Sequence, residues 1–175
     1  ARTLADGDYK VWVVNDGSSD GTAAVVADWR GKIPLIPLVH PVNRGLGAAL
    51  ALTCADLGAE VVLCGRSLAA LEVVARHIET KTGRPSSLVG LDLVDTTSVE
   101  RAAQEILHQA PRVDVLINNG AMWLEQRQSP FPASEVMSVI GSAVTGTFLL
   151  TQTLIPALEL SKRPDVVTIG SISGL

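Results

Sequence analysis

At 175 residues with a formal net charge of −4, the chain has the size of one domain and offers no electrostatic case for binding nucleic acid or an anionic membrane. Apolar residues make up 47% and aromatics only 3%, so the interior must be packed with Val, Leu, Ile and Ala, as in helix-covered parallel sheets. No apolar run approaches the roughly 18 residues of a spanning helix, and no charged-then-apolar leader precedes Ala1. Cys54 and Cys64 fall inside a predicted helix and a predicted strand, which reads as buried thiols in a reduced compartment. A soluble, cytoplasmic protein is the expectation.

Strand-length apolar runs lie at Val11–Val14, Ile33–Val39, Val61–Leu63, Leu88–Leu91, Val113–Ile117 and Val166–Ile169. Helical patterns lie between them at Thr22–Arg30, Leu46–Leu57, Leu68–Thr82, Thr97–Gln109 and Ser134–Leu160. That alternation predicts an α/β fold, a doubly wound parallel sheet with helices on both faces. Gly58 stops one helix, Gly83-Arg84-Pro85 ends another, and Thr96-Thr97-Ser98 supplies N-caps for a third. No repeat or linker divides the chain, so a single domain over residues 1–175 is expected.

The most informative segment is His40-Pro41-Val42-Asn43-Arg44-Gly45-Leu46-Gly47, where two patterns meet. Upstream, Asn15-Asp16-Gly17-Ser18-Ser19-Asp20-Gly21-Thr22 follows the first strand. With Asn43-Arg44-Gly45-Leu46-Gly47 downstream, about residues 9–50 resemble the start of family 2 glycosyltransferase domains. The resemblance places Asp16 on the uridine of a sugar nucleotide. A strand-to-helix turn with an N-cap explains the same residues structurally. The metal-holding aspartate pair of that family has no counterpart, so neither a metal site nor glycosyl transfer is expected.

Downstream, from about Asn43 to the end, the chain resembles the short-chain dehydrogenase/reductase family. Gly45-Leu46-Gly47 opens a helix after a strand, where backbone amides favour a pyrophosphate. Cys64-Gly65-Arg66-Ser67 ends the next strand without the acid that NAD-preferring members carry, and Arg66 suits the 2′-phosphate of NADP or is a solvated loop residue. Leu91-Asp92-Leu93 matches the segment lining the adenine, with Asp92 either accepting from its amino group or forming a turn. Val113-Asp114-Val115-Leu116-Ile117-Asn118-Asn119-Gly120-Ala121 is the most specific match, with Gly120 and Ala121 transposed relative to the usual order. The resemblance lays the cofactor ribose against Asn119 and Gly120, and has Asn118 and Asn119 tie neighbouring loops. Thr145-Gly146-Thr147-Phe148 matches the long central helix, and Val166–Gly174 the strand that delivers the active-site serine, Ser171, with Ser173 second.

The resemblance also shows departures. The family's tyrosine and lysine fall beyond Leu175, and Tyr9 has no lysine four positions on. Ala143 replaces the usual central-helix asparagine, and Pro41 stands where the phosphate loop has its first glycine, with His40 in place of a threonine. These departures imply an engineered or recombined chimera with at most weak NADP(H) binding and no redox turnover. The alternatives are a ligand-free scaffold and a fragment of an NADP-dependent short-chain oxidoreductase. In the sheet, residues 33–39 are expected between 61–63 and 113–117, with 11–14 at a free edge beside 166–169. The helix 134–160, apolar on more than one face, predicts a homodimer or a poorly soluble monomer.

Overall fold

The computed structural model describes residues 11–16, 24, 27–28, 35–40, 45–122 and 131–170. Its contacts divide the chain into two compact units, residues 1–59 and 60–175.

In the first unit, β1 (Val11–Asp16) and β2 (Leu35–His40) pair in parallel, from Val11↔Leu35 to Asp16↔His40. This overturns the expected placement of 11–14 beside 166–169. Two physical terms favour the observed pair. Consecutive strands joined by a short crossover are usually neighbours, and closing a loop of that length costs little extra entropy. Pro37 also brings no N–H to β2, so a strand bonded on both sides would lose a ladder bond there. Ala24, Ala27 and Asp28, all exposed, are the described helical part of the expected helix at 22–30. Helix α1 (Leu46–Asp56) buries Ala49, Leu52, Thr53 and Ala55. It ends as expected, with Gly58 at φ +99°.

In the second unit, β3 (Val62–Gly65) and β4 (Ser87–Gly90) pair in parallel, with Gly65 opposite Gly90. Helix α2 (Leu68–Thr82) joins them. The Ser67 hydroxyl caps it by accepting from the Ala70 amide at 3.3 Å, and Gly83 closes it at φ +70°, donating to the Glu79 carbonyl. Helix α3 (Thr96–Gln109) is capped by Asp95 rather than by the Thr96-Thr97-Ser98 run. The Asp95 carboxylate accepts from the Thr97 amide at 3.0 Å, which a residue already inside the helix cannot do. Strands β5 (Val115–Asn118) and β6 (Asp165–Thr168) form the other parallel pair.

The segment expected as one α-helix at 134–160 is helical throughout but changes pitch. Helix α4 (Ala133–Ile140) runs into a π-helical turn, Gly141–Gly146, and then α5 (Thr147–Glu159). Over its 27 residues it is long and apolar enough to cross a membrane by length and composition alone, which corrects the expectation that no segment is. Leu150 and Leu154 of α5 instead join the core, meeting Val89 of β4, Leu91 just after it, and Val99, Ala102, Ala103 and Ile106 of α3. The four α3 residues recur at the spacing of one helical face. The Ala157 carbonyl, near the end of α5, accepts from the Val113 amide at 3.0 Å, seating the helix at the start of β5. Met137, Ile140, Val144, Phe148 and Ile155 form an exposed stripe along the same helix. The thiols depart from expectation: Cys54 is half-buried and Cys64 exposed.

Candidate cofactor-binding site

Both strand pairs of the second unit are parallel, so the carboxyl ends of paired strands emerge together. This is where open α/β sheets bind ligands. Arg66 leaves the end of β3, exposed, immediately before the cap of α2. Beside it the Leu91 amide donates to the Gly65 carbonyl at 3.0 Å, continuing the β3–β4 ladder for one more bond.

Asp92, half-buried, is held from three directions. Its amide donates to the hydroxyl of Ser98, a buried residue, at 3.0 Å. Its carboxylate accepts from the Val94 amide at 3.0 Å, and its carbonyl from the Asp95 amide at 3.2 Å. The turn reading of Asp92 is therefore realised, since Oδ1 closes a local turn.

Leu93 and Gly120 are brought together. A β-carbon added at Gly120 would lie 3.1 Å from Leu93 Cδ1, tighter than ordinary contact, so the loop after β5 passes close to the Leu93 side chain. Asn119, half-buried, precedes it. Asn118, expected to tie neighbouring loops, instead ties β5 to the central helix by donating from Nδ2 to Thr151 Oγ1 at 3.1 Å, while that hydroxyl donates to the Thr147 carbonyl.

In the first unit, Gly45 holds φ +80° at the head of α1 and no side chain caps that end. The conformation requires glycine, and a helix N-terminus is the arrangement that favours an anion. Leu46 is exposed there and Gly47 half-buried. Pro41, Ser171 and Ser173 lie outside the described residues, so the expectations placed on them are without structural description.

Sequence reasoning missed three residues that organise these ends. Ser142, 3% exposed within the π turn, accepts from the Met122 amide at 2.9 Å and donates to the Val139 carbonyl at 3.1 Å. Gly146, buried, faces the Leu93 backbone: a β-carbon there would overlap the carbonyl oxygen and sit 2.8 Å from the carbonyl carbon. Thr147 donates from its hydroxyl to the Ser142 carbonyl at 3.0 Å, bracing the turn. The glycine pair spaced five apart, Gly141 and Gly146, was the available signal in an otherwise helical run.

Known proteins agree with this geometry. A family model described as short chain dehydrogenase matches residues 37–175, and one described as glycosyl transferase family 2 matches residues 2–64. The "Uncharacterized oxidoreductase YciK" of Escherichia coli K12 is 36% identical over 145 residues, which are 79% of this chain and 56% of that protein. Human "Dehydrogenase/reductase SDR family member 7" is 29% identical over 167 residues, 90% of this chain and 49% of its own length. The chain thus spans about half the length of the curated relatives it matches. Among solved structures, a metagenomic short-chain oxidoreductase in complex with NADP superimposes with a TM-score of 0.66 at 30% identity, covering 74% of this chain and 59% of the other. The short chain dehydrogenase from Shigella flexneri gives 0.66 at 29% identity, over 92% and 55%. The family match over most of the chain and these superpositions make one conclusion: the chain belongs to the short-chain dehydrogenase family and has its Rossmann-type α/β fold.

Proposed function

We propose that the chain is the cofactor-binding portion of an NADP(H)-dependent short-chain oxidoreductase, located in the cytoplasm. The observation that carries this is Arg66, exposed at the end of β3 where an acid would select NAD, in a family with a relative solved in complex with NADP. Two features of the backbone fit the cofactor. Gly45 takes a left-handed conformation at an uncapped helix start, and Gly120 leaves the space beside Leu93 that a β-carbon would fill. The family's pattern assigns the pyrophosphate to the backbone amides of Gly45, Leu46 and Gly47 in the first unit and, separately, the 2′-phosphate to Arg66 in the second. Asp92 and Leu93 line the adenine, and Asn119 with Gly120 backs the ribose.

When bound, the cofactor supplies hydride chemistry between a carbonyl and an alcohol. This chain's own contribution is to bind and orient it, with Ser171 assigned to the substrate carbonyl oxygen. The unpaired Cys54 and Cys64 suit a reducing compartment. The exposed stripe from Met137 to Ile155 serves as a homodimer face in the same reading, which light scattering tests. Titration of NADPH fluorescence against the purified protein decides the cofactor assignment. A saturating signal, weaker with NADH, supports it, and a flat response at millimolar NADPH removes it.

A second reading concerns the first 40 residues. The two family matches overlap at residues 37–64, and β1 pairs with β2. Both observations favour a chain in which a glycosyltransferase-like segment is joined to the dehydrogenase part at a shared stretch. Deleting residues 1–30 tests it: unchanged NADPH binding and folding cooperativity support the joined reading, and loss of the fold opposes it.

A further inference from the structure

Helix capping, core packing and the family's motifs leave one feature unexplained: the change of pitch between Gly141 and Gly146. π-Helical turns are rare and are frequently found at functional sites. Here the turn touches two loops that leave different strands. On one side it meets the segment after β4. Gly146 lies against the Leu93 backbone without room for a β-carbon, and a β-carbon on Gly141 would stand 3.8 Å from Val94 Cγ1 and 4.0 Å from Val94 Cα. On the other side it meets the segment after β5, where the hydroxyl of Ser142 receives the Met122 amide at 2.9 Å.

The hydroxyl of Ser142 is engaged twice, as acceptor from Met122 and donor to Val139, in a residue almost wholly buried. Its orientation is therefore fixed from both sides. Thr147 donates to the Ser142 carbonyl five residues back, which stabilises the wide turn that a regular i−4 pattern would close. A turn with these contacts sets the separation between Leu93 and the Gly120–Met122 loop, and Leu93 Cδ1 already stands where a Gly120 β-carbon would come within 3.1 Å.

We propose that the π turn Gly141–Gly146 is a positioning element for the cofactor, with Ser142 and Gly146 holding the loop after β4 and the loop after β5 at the spacing that admits the adenosine half. The inference rests on the NADP(H) reading above. Ser142 acts through Met122 and the Gly120 loop, without itself touching the cofactor.

The test uses the whole chain, its Ser142→Ala variant, and Ser138→Ala as a control that removes a hydroxyl bonded within its own helix, to the Ser134 carbonyl. Losing one buried hydrogen bond that orders a binding loop is expected to weaken NADPH by about tenfold. Amide exchange at Met122 should accelerate, and Ser138→Ala should change neither. A second measurement needs no variant: in the parent chain, NADPH should slow amide exchange at Gly141–Gly146 together with residues 93–94 and 120–122. A folded Ser142→Ala protein that binds NADPH as tightly as the parent overturns the proposal. So does a parent whose loops gain protection while the π turn does not. A parent that binds no NADPH refutes the cofactor reading itself, and with it this inference, and is told apart because no saturation is seen before any substitution.

Discussion

The same chemical change at two places in one turn should have opposite effects. Replacing Gly146 by Ala adds a β-carbon that overlaps the Leu93 carbonyl oxygen and lies 2.8 Å from its carbonyl carbon and 3.0 Å from its Cα. All three obstacles are backbone, so no side-chain rotation relieves them. Overfilling a packed site costs about 1–3 kcal/mol and sometimes more, and a backbone obstacle belongs at the upper end. Against this, Ala gains about 1 kcal/mol over Gly in a helix interior. The net expectation is a loss of about 2 kcal/mol, or a fall in Tm of roughly 4–8 °C for a chain of this size. At Gly141 the added carbon meets only Val94 at 3.8 and 4.0 Å, ordinary contact distance, so the propensity gain stands and stability should rise by up to about 1 kcal/mol. Urea unfolding of the three proteins, followed by far-UV circular dichroism with slopes compared, measures both differences. Equal effects, or a neutral Gly146→Ala, would show that the central helix does not press on Leu93 and would refute the packing argument.

Other substitutions probe the core, the cofactor assignment and the charged end of the sheet. Leu154, 1% exposed within the main cluster, should cost about 2–5 kcal/mol when cut to Ala, read as a lower urea midpoint; a cost well under that range would remove it from the core. Arg66→Ala should weaken NADPH by roughly fivefold, the value of an exposed charge contact, and leave NADH unchanged; equal losses for both would detach Arg66 from the 2′-phosphate. Asp114 accepts a 2.6 Å hydrogen bond from the Ser161 hydroxyl and pairs with Arg112 at 3.2 Å, and these hold its carboxyl below its ordinary range, Ser161 first. A depressed carboxylate pKa adds stability above the unfolded value and loses it as pH falls through the folded one. Ser161→Ala should therefore flatten the acid side of the stability profile below about pH 4, and a carbon-13 titration of Asp114 at or above the ordinary carboxylate value would contradict the assignment.

What the residues disclosed in advance follows a physical division. The helix at 68–82 was legible to the residue, because Ser67 and Gly83 carry their instructions locally, one as a hydroxyl acceptor and the other as a left-handed stop. The six strands were legible as apolar runs, each displaced by only one or two residues. The cap of the 96–109 helix was misread because Asp95, Thr96, Thr97 and Ser98 all have capping side chains, and only geometry shows which one precedes the first turn. Ser98 turned out to face inward and bind the Asp92 amide, a contact six residues apart that no local rule picks out. Strand pairing was the larger miss. The expected order followed the resembling family, whereas Pro37 and the short crossover between β1 and β2 pointed to the observed pair.

The site divides in the same way. Arg66, Asp92, Leu93, Asn119 and Gly120 could be nominated from the sequence because open α/β sheets bind ligands at the ends of their strands, and those ends lie just past each apolar run. The residues that set the spacing between those places left a weaker trace, since their effect depends on two loops meeting a third element. Gly146 looks like a poor helix residue, and Ser142 like a neutral one, until Leu93 and Met122 are seen against them. A glycine in a helix that must cost stability by propensity, yet sits buried against another segment's carbonyl, is better explained by close approach than by tolerance. On that argument the pitch change in the central helix belongs with its contacts: within this turn Ser142 receives the Met122 amide and Gly146 approaches the Leu93 backbone.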